Sequence, residues 1–438
     1  MFRRSTCPWL ALTMLLPPSG GLSREDGSQQ AMVQKHLFID DHLMDKQRTR
    51  GITLQVNPPV FRGRVIRMEQ PFERQFGLHY FSQVLEYGGE YRLYYHLVVE
   101  DEKGRRAQPC LAVSKDGIRW VKPSLEVAEL HGSKDNNAIE APSRMGGFVF
   151  LDPKAPLSRR FRLIGELEDG SFGIIGQSED GIRFRGPSLR LLPFRSDTQN
   201  VVFWDDERKR YVFYLRGRRD GQRTVLRAEA TTLESPLSYK PNPHPLRQWP
   251  DAYALTTELP IVMAAQRRDW ANWAGGKEGT VDVYNTAAMK YPWAPGIYLA
   301  FPSIYYHYTK DTEPRAVSTN DGEFEVQLAT SRDGLHWSRY RVPYLARGTY
   351  EGLKLIMLCM AQGMIRRGDE LYQYFVGLPR SHGWAAFLNG EWGAFLKDPA
   401  RRKAWQEADQ GGIYLAVQRL DGFVAATAGP EGGRLVTK

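Results

Sequence analysis

Cysteine is scarce in this chain of 438 residues. Cys7, Cys110 and Cys359 are all it holds, which excludes a disulfide framework and a cysteine-rich zinc or iron–sulfur site. No apolar run approaches the roughly 20 residues that a bilayer-spanning helix needs, so no membrane span is expected. The nine histidines are dispersed and no His-Glu-x-x-His pair occurs, so no metal site is expected. A Gly-x-Ser-x-Gly elbow, a P-loop and a dinucleotide fingerprint are also missing, and with them any sign of a bound cofactor. Nor does a nucleic-acid motif accompany the basic residues. Lys and Arg number 59 against 50 Asp and Glu, a net charge of +9, but they are scattered, in runs no longer than Arg216-Gly217-Arg218-Arg219 or Arg401-Arg402-Lys403. Such charge reads as a solvated surface, with a polyanion-binding scaffold as the minor alternative and no nucleic-acid partner expected.

What the chain does hold is aromatic residues and turn formers. Aromatics make up 12%, with 41 Gly and 27 Pro, a composition that favours strands over helices. A hydrophobic fraction of 42% and a charged fraction of 25% are ordinary for a globular protein. Residues 1–25 have the form of an export signal: Arg3 and Arg4, the short apolar stretch Trp9 to Leu16, then Pro17 to Gly21. This predicts a secreted or periplasmic protein that loses Cys7 on cleavage, leaving Cys110 and Cys359 as buried free thiols.

The informative feature is an internal repeat. A Tyr/Leu/Phe-rich strand, a second strand and Ser-x-Asp-Gly recur as Tyr91–Tyr95, Cys110–Val113 and Ser114-Lys115-Asp116-Gly117-Ile118-Arg119-Trp120. They recur as Phe161–Ile164, Gly173–Gly176 and Ser178-Glu179-Asp180-Gly181-Ile182-Arg183-Phe184, and as Ile297–Phe301, Val326–Ala329 and Ser331-Arg332-Asp333-Gly334-Leu335-His336-Trp337. Tyr211–Leu215 with Thr224–Ala228 is a copy without the Asp-Gly turn; Leu371–Phe375 with Ile413–Val417 is a copy ending in Asp421-Gly422-Phe423. Asp-Gly supports a tight turn between antiparallel strands, and the aromatic three residues later offers an apolar plate to a neighbouring sheet. A short strand upstream of each pair (80–85, 147–151, 200–204, 287–291 and 363–366) is expected to be innermost. Five such units predict an all-β fold, a five-bladed propeller of four-stranded antiparallel blades over residues 36–425. A long insertion about 239–279, a helical insertion about 384–410 and a tail 426–438 complete the expected organisation.

The chain resembles the five-bladed propeller glycosidases of the arabinanase, invertase and levansucrase type, glycosyl hydrolase families 43 and 32. It is closer still to exported bacterial propeller proteins related to them. His36-Leu37-Phe38-Ile39-Asp40-Asp41, Asn57-Pro58-Pro59, Asp197-Thr198-Gln199-Asn200-Val201, Tyr284-Asn285-Thr286 and the Ser331–Trp337 segment carry the likeness. The resemblance implies a glycoside hydrolase with a carbohydrate substrate and carboxylates at the channel mouth. Relatives often add a β-sandwich after the propeller; the chain ends at Lys438, where one is expected to begin. The Asp-Gly adjacency departs from the sialidase Asp-box.

Propeller glycosidases place acids at or just before the innermost strand of different blades. The equivalent places here hold Glu73, Asp135 with Glu140, Asp197, Asp282 and Glu351. Asp197, Asp282 and Glu73 are the expected catalytic residues, although the usual first-blade Asp motif is missing around Glu73. Asn136, Asn137, Glu140, Gln199, Asn200, Tyr284, Asn285 and Glu351 are the expected substrate-binding residues, because amides can both donate to and accept from sugar hydroxyls. Converging carboxylates repel, so one of the acids opposite Asp197 is expected to titrate upward and stay protonated. His79 and His382 can reach the channel, although lone histidines are more often structural. The alternative to hydrolysis is a carbohydrate-binding propeller without turnover.

Overall fold

The structure is a computed structural model that describes residues 35–101, 104–142, 147–197, 199–240, 259–315, 318, 320–384 and 397–438. The expected export signal and Cys7 lie outside the described residues, as does much of both expected insertions. No described helix is long and apolar enough to cross a membrane.

From Leu37 onward the chain is mostly β, in small antiparallel sheets that follow one another in sequence. The first comprises Leu78–Tyr87, Glu90–Asp101 and Gly104–Ser114, extended by a bridge between Val113 and Val121. The second comprises Phe148–Leu151, Phe161–Glu166, Phe172–Ser178 and Leu189–Leu192, and the third Val201–Asp205, Arg210–Arg219, Gln222–Ala230 and Ile261–Ala264. A fourth set orders Val281–Asn285, Ser303–His307, Gly322–Ser331 and Ser338–Leu345. A fifth orders Met357–Met360, Glu370–Leu378, Gly412–Arg419 and Val60–Arg67, joined to the fourth by the parallel pair Phe324 and Met357. The N-terminal strand Val60–Arg67 thus completes the sheet made by the C-terminal strands.

Each sheet touches the next, and the fifth touches the first. The Gln83 amide donates to the Val149 carbonyl and accepts from its N–H. The Tyr211 hydroxyl crosses from third sheet to second, donating to Asp152 at 2.9 Å. Arg223 of the third sheet meets Asp282 of the fourth at 2.8 Å. The Val84 N–H of the first sheet bonds the Gln362 carbonyl beside the fifth at 2.8 Å. The apolar faces between sheets are fully buried, with Leu93, Leu163, Phe213, Leu328 and Phe375 all 0% exposed.

The Ser-x-Asp-Gly repeat explains how the sheets are spaced. In all three copies the serine hydroxyl accepts the Gly N–H at 2.8–2.9 Å, and the Asp carboxylate accepts two N–H groups from the residues after Gly. The freed Gly carbonyl then receives a tyrosine hydroxyl from the preceding sheet. Tyr374 reaches Gly117 at 2.6 Å, Tyr94 reaches Gly181 at 3.1 Å and Tyr214 reaches Gly334 at 2.7 Å. Glycine is required twice over. Its φ is 75°, 73° and 71° in the three copies, and a Cβ would stand 2.9, 2.5 and 2.7 Å from the tyrosine oxygen. The Trp120 and Trp337 indoles donate to the same carbonyls and pack edge-on against Tyr374 and Tyr214.

Several expectations need correction. The inner strands of the last two sheets run earlier than 287–291 and 363–366. Val281–Asn285 and Met357–Met360 are the first strands of those sheets, and the expected segments sit beyond a break at Ala287, with φ 40°, and at Gly363, with φ 87°. Both halves are buried along their whole length, so no period-2 alternation marks them. Part of the expected 239–279 insertion is the outer strand Ile261–Ala264 of the third sheet. The expected tail is not free either: Val424–Ala428 pairs with Ile52–Val56, and Thr437 bridges Met44. The helix Pro399–Glu407 falls within the expected helical insertion, capped by Asp398 and anchored by buried Trp405. Cys110 and Cys359 are buried free thiols.

Two outcomes follow from the repeat. Gly181→Ala must put an L-residue at positive φ, costing roughly 1–2 kcal/mol before the clash with Tyr94 is added. Equilibrium denaturation should show at least that loss, and an unchanged midpoint would contradict the packing. The second concerns pH. The Arg119 and Ile118 N–H groups hold the Asp116 carboxyl below its usual range. At Asp180 and Asp333 burial pushes upward but is outweighed, by the Arg183 N–H and by His336 respectively. A carboxyl depressed in the folded state adds stability above its unfolded pKa of about 4 and loses it as pH falls from there through its lower folded-state pKa. Melting temperature should therefore drop below about pH 4, and the Asp116→Asn, Asp180→Asn, Asp333→Asn triple variant should show a shallower drop.

Candidate functional site

The first, third and fourth sheets bring one polar group together. The extended backbone of Leu78–Tyr87 presents Tyr80, and Val281–Asn285 presents Asp282 and Tyr284. Arg216 and Arg223 stand at the ends of the two long strands of the third sheet, Arg210–Arg219 and Gln222–Ala230. Both guanidinium groups lie over the Tyr284 ring, Arg216 at 4.3 Å and Arg223 at 5.4 Å from its centroid. Arg216 also donates to the Tyr284 carbonyl and, at 3.3 Å, to the Asp197 carboxylate. Asp197 is therefore held by charge while keeping 20% of its side chain exposed.

Asp282 is placed differently. Its side chain is 3% exposed, and it accepts from the Arg223 backbone at 3.1 Å, from the Arg223 guanidinium at 2.8 Å and from His307 Nε2 at 2.8 Å. Burial alone raises a carboxyl pKa, but the His307 hydrogen bond and the Arg223 charge outweigh it and leave Asp282 below its usual range. The expected protonated partner for Asp197 is thus not Asp282, which is locked as an anion.

A proton chain sits between these acids. The Tyr80 and Tyr284 hydroxyls are 2.7 Å apart, and His382 Nε2 lies 3.3 and 3.2 Å from them. His382 Nδ1 faces the Asn320 carbonyl at 3.1 Å, so Nδ1 carries the hydrogen and Nε2 accepts. Burial and the neighbouring Arg223 push His382 down to about 3, so it is neutral at physiological pH. Burial raises both tyrosines; the Tyr284 hydroxyl adds to the rise at Tyr80, and the two guanidiniums only partly offset it at Tyr284.

Asp197 also lines a small cavity of about 30 Å³ between the first three sheets, with Phe81, Gln83, His96, Glu166 and Gln199 among its walls. Glu166, at the end of Phe161–Glu166, is oriented by Arg195 at 2.9 Å with 13% of its side chain exposed. His96 is pushed down to about 4 by burial and is neutral there. Ser82 Oγ and Gln199 Oε1 are buried without hydrogen-bond partners in the same wall. A cavity of this size holds one water, which those two atoms can bind.

The other expected residues are placed as follows. Glu73 is 0% exposed and caps the helix Pro71–Arg74, accepting the Glu69 and Gln70 N–H groups and pairing with Lys122 at 2.8 Å. None of these partners belongs to the Asp197 group, so the structure does not bring Glu73 to it. The capping box Gln70-x-x-Glu73 was the signal for this role. Glu140 forms a two-point pair with Arg185 at 2.9 and 3.2 Å. Glu351 has a left-handed φ of 48° beyond Gly348–Tyr350 and accepts from Arg64 and Arg67 on the outer strand of the fifth sheet, away from its inner edge. Asn136 closes its own loop through the Ala128, Ser133 and Ala138 backbones, and Asn137 bonds Tyr95 and Leu111. Asn200 ties Ser196 to the Arg216 N–H, and Asn285 accepts the Ser303 N–H. Of the expected binding residues, Gln199 and Asn200 line the cavity beside Asp197. Arg216, Arg223, Tyr80, His307 and Glu166 were not expected, and His382 was set aside as a lone histidine. Among the described residues no cluster of three or more His, Cys, Asp or Glu is arranged to hold a metal ion.

No family model matches the chain, and no curated protein does. Among solved structures, one glycoside hydrolase is 13% identical with a TM-score of 0.48, covering 83% of this chain and 92% of its own. An endo-1,4-β-xylanase from Bacteroides thetaiotaomicron is 13% identical with a TM-score of 0.45 over 86% of this chain and 97% of its own. An α-L-arabinofuranosidase from Podospora anserina, solved with cellotriose, is 11% identical with a TM-score of 0.45 over 84% and 98%. These similar structures are glycoside hydrolases; likeness at this level does not decide the activity of this chain.

The Arg223–Asp282 pair yields a clear outcome. Removing one partner of a buried pair leaves an uncompensated charge, at a cost of about 3–5 kcal/mol. Arg223→Met should lose stability on that scale in urea denaturation, whereas Arg223→Met with Asp282→Leu should recover much of it.

Proposed function

We propose that the chain is an exported five-bladed β-propeller that hydrolyses glycosidic bonds of an oligo- or polysaccharide. The five successive antiparallel sheets, with the fifth completed by the N-terminal strand, support the blade reading. One observation carries the activity: two carboxylates from different sheets, Asp197 and Glu166, open onto one cavity, each oriented by its own arginine. A pair of carboxylates flanking a bond is what glycoside hydrolysis requires, one to activate water or attack and one to protonate the leaving oxygen. The unpartnered Ser82 and Gln199 atoms beside them suit a bound water.

A second reading, carbohydrate binding without turnover, draws on a specific observation as well. Asp282 is held ionised, and Asp197 and Glu166 are each already paired with an arginine. Turnover separates the two readings. With a panel of aryl glycosides and plant, algal and microbial polysaccharides, the wild type should release reducing ends from at least one. Asp197→Asn and Glu166→Gln should each lose about 10²–10⁴-fold of that rate while keeping the melting temperature. Binding to a glycan with no turnover of any substrate would favour the second reading, and near-wild-type turnover by Asp197→Asn would remove Asp197 from the site.

A further inference from the structure

A second cleft, of about 450 Å³, lies between the outer strands of the third and fourth sheets and shares no wall residue with the Asp197 cavity. Its walls include Arg268, Arg339, Arg341, Trp337, Asp40 and Asp41. Arg339 and Arg341 are two apart on Ser338–Leu345, so they project from the same face of that strand. Both converge on one carboxylate, Asp269, Arg341 at 3.0 Å. Asp269 is already occupied as the cap of Arg267–Trp270, accepting the Gln266 N–H at 2.7 Å.

Charge does not balance here. Asp269 can neutralise one of the two guanidiniums. The other side-chain acceptors are neutral amides: Gln266 takes Arg341 at 2.7 Å and exposed Arg268 at 3.5 Å, and Gln327 takes Arg339 at 2.7 Å. The two acids on the facing wall are spoken for: Asp40 by Arg332 at 2.9 Å and Asp41 by Lys46 at 2.6 Å. Three guanidiniums therefore face one carboxylate. Burial, with the charges of Arg339 and Arg268 adding to it, lowers the pKa of Arg341.

We infer that this cleft binds the isolated anionic groups, carboxylate or sulfate, of a polysaccharide; the saccharide part rests on the function proposed above. Guanidinium forks match carboxylate and sulfate oxygens in geometry. The partly exposed Trp337 ring offers an apolar face for a pyranose. Asp40 and Asp41 on the opposite wall suit sugar hydroxyls and disfavour a continuous phosphate chain, which sets a polysaccharide ahead of a nucleic acid.

The test is affinity electrophoresis of the full chain in gels containing polygalacturonate, dextran sulfate or neutral dextran. At least one anionic polymer should retard the protein, dextran should not, and the arm that responds tells carboxylate from sulfate. Arg268→Gln with Arg341→Gln should weaken that binding at least fivefold. Arg401→Gln with Arg402→Gln, which removes the same charge from the exposed face of Pro399–Glu407, should leave it within twofold. Arg268→Glu alone, at an exposed position, gives the same readout if the double variant does not fold. Retardation by neither anionic polymer, equal loss in the Arg401/Arg402 control, or equal retardation by a single-stranded oligonucleotide would overturn the inference. Asp197→Asn should keep full retardation; its loss in that variant would move the anion to the central cavity, whereas loss of turnover alone leaves this cleft untouched.

Discussion

A tyrosine hydroxyl placed across each boundary between sheets is the contact on which the rest of the structure depends. Tyr94, Tyr214 and Tyr374 reach the carbonyl of an Asp-Gly turn in the following sheet. The remaining two boundaries use a carboxylate instead: Tyr211 donates to Asp152, and Tyr291 donates to Asp421 at 2.7 Å. Where the third sheet lacks the Asp-Gly turn, the preceding sheet has Ile164 at the position that Tyr94, Tyr214 and Tyr374 hold in theirs. The complete Ser-x-Asp-Gly turn and its tyrosine donor thus occur together, whereas the Asp421-Gly422 turn, which lacks the serine, is met at its carboxylate by Tyr291. Each bond contributes only about 0.5–1.5 kcal/mol net, but an unmade one leaves a buried polar group and costs more. The tyrosine ring fills the space between sheets while its hydroxyl fixes their separation, so packing and polarity are satisfied by one side chain.

That spacing has consequences where the inner strands meet. Fixing the outer ends of the sheets brings their inner strands close enough for backbone contact, as where Gln362 meets Ser82 and Val84. Residues far apart in sequence then share one small volume. Arg216 and Arg223 supply charge from the third sheet, Asp282 and Tyr284 take it up from the fourth, and His382 enters from the segment after the fifth sheet's second strand. Burial is offset by pairing at Asp282 and by neutrality at His382. Asp197 and Glu166 are paired with arginine while 20% and 13% of their side chains stay exposed.

The repeat was legible because its chemistry is local. Ser, Asp, Gly and the following aromatic act within seven residues, and their hydrogen bonds fall where the sequence spacing puts them. The position of Asp197, just before the strand Val201–Asp205, was legible as well. The partners of that acid were not. Arg216 lies in a basic run that reads as surface, and Glu166 ends a second strand rather than preceding a first; only sheet-to-sheet contact discloses either. Glu73 shows the converse error. Its position before an inner strand looked catalytic, but the local capping box and Lys122 claim both carboxylate oxygens. Glu351 was misplaced because Val281–Asn285 and Met357–Met360 are buried throughout and give no alternating pattern, so the last two sheets were set out of step.

The central claim is that Asp197 and Glu166 flank the bond to be broken. A crystal structure of the protein with the oligosaccharide it binds most tightly tests that claim most directly. The account predicts a sugar ring at the cavity bordered by Gln83, His96 and Gln199, with Asp197 and Glu166 on either side of its anomeric carbon. A sugar seated elsewhere, or one that touches neither carboxylate, would contradict it.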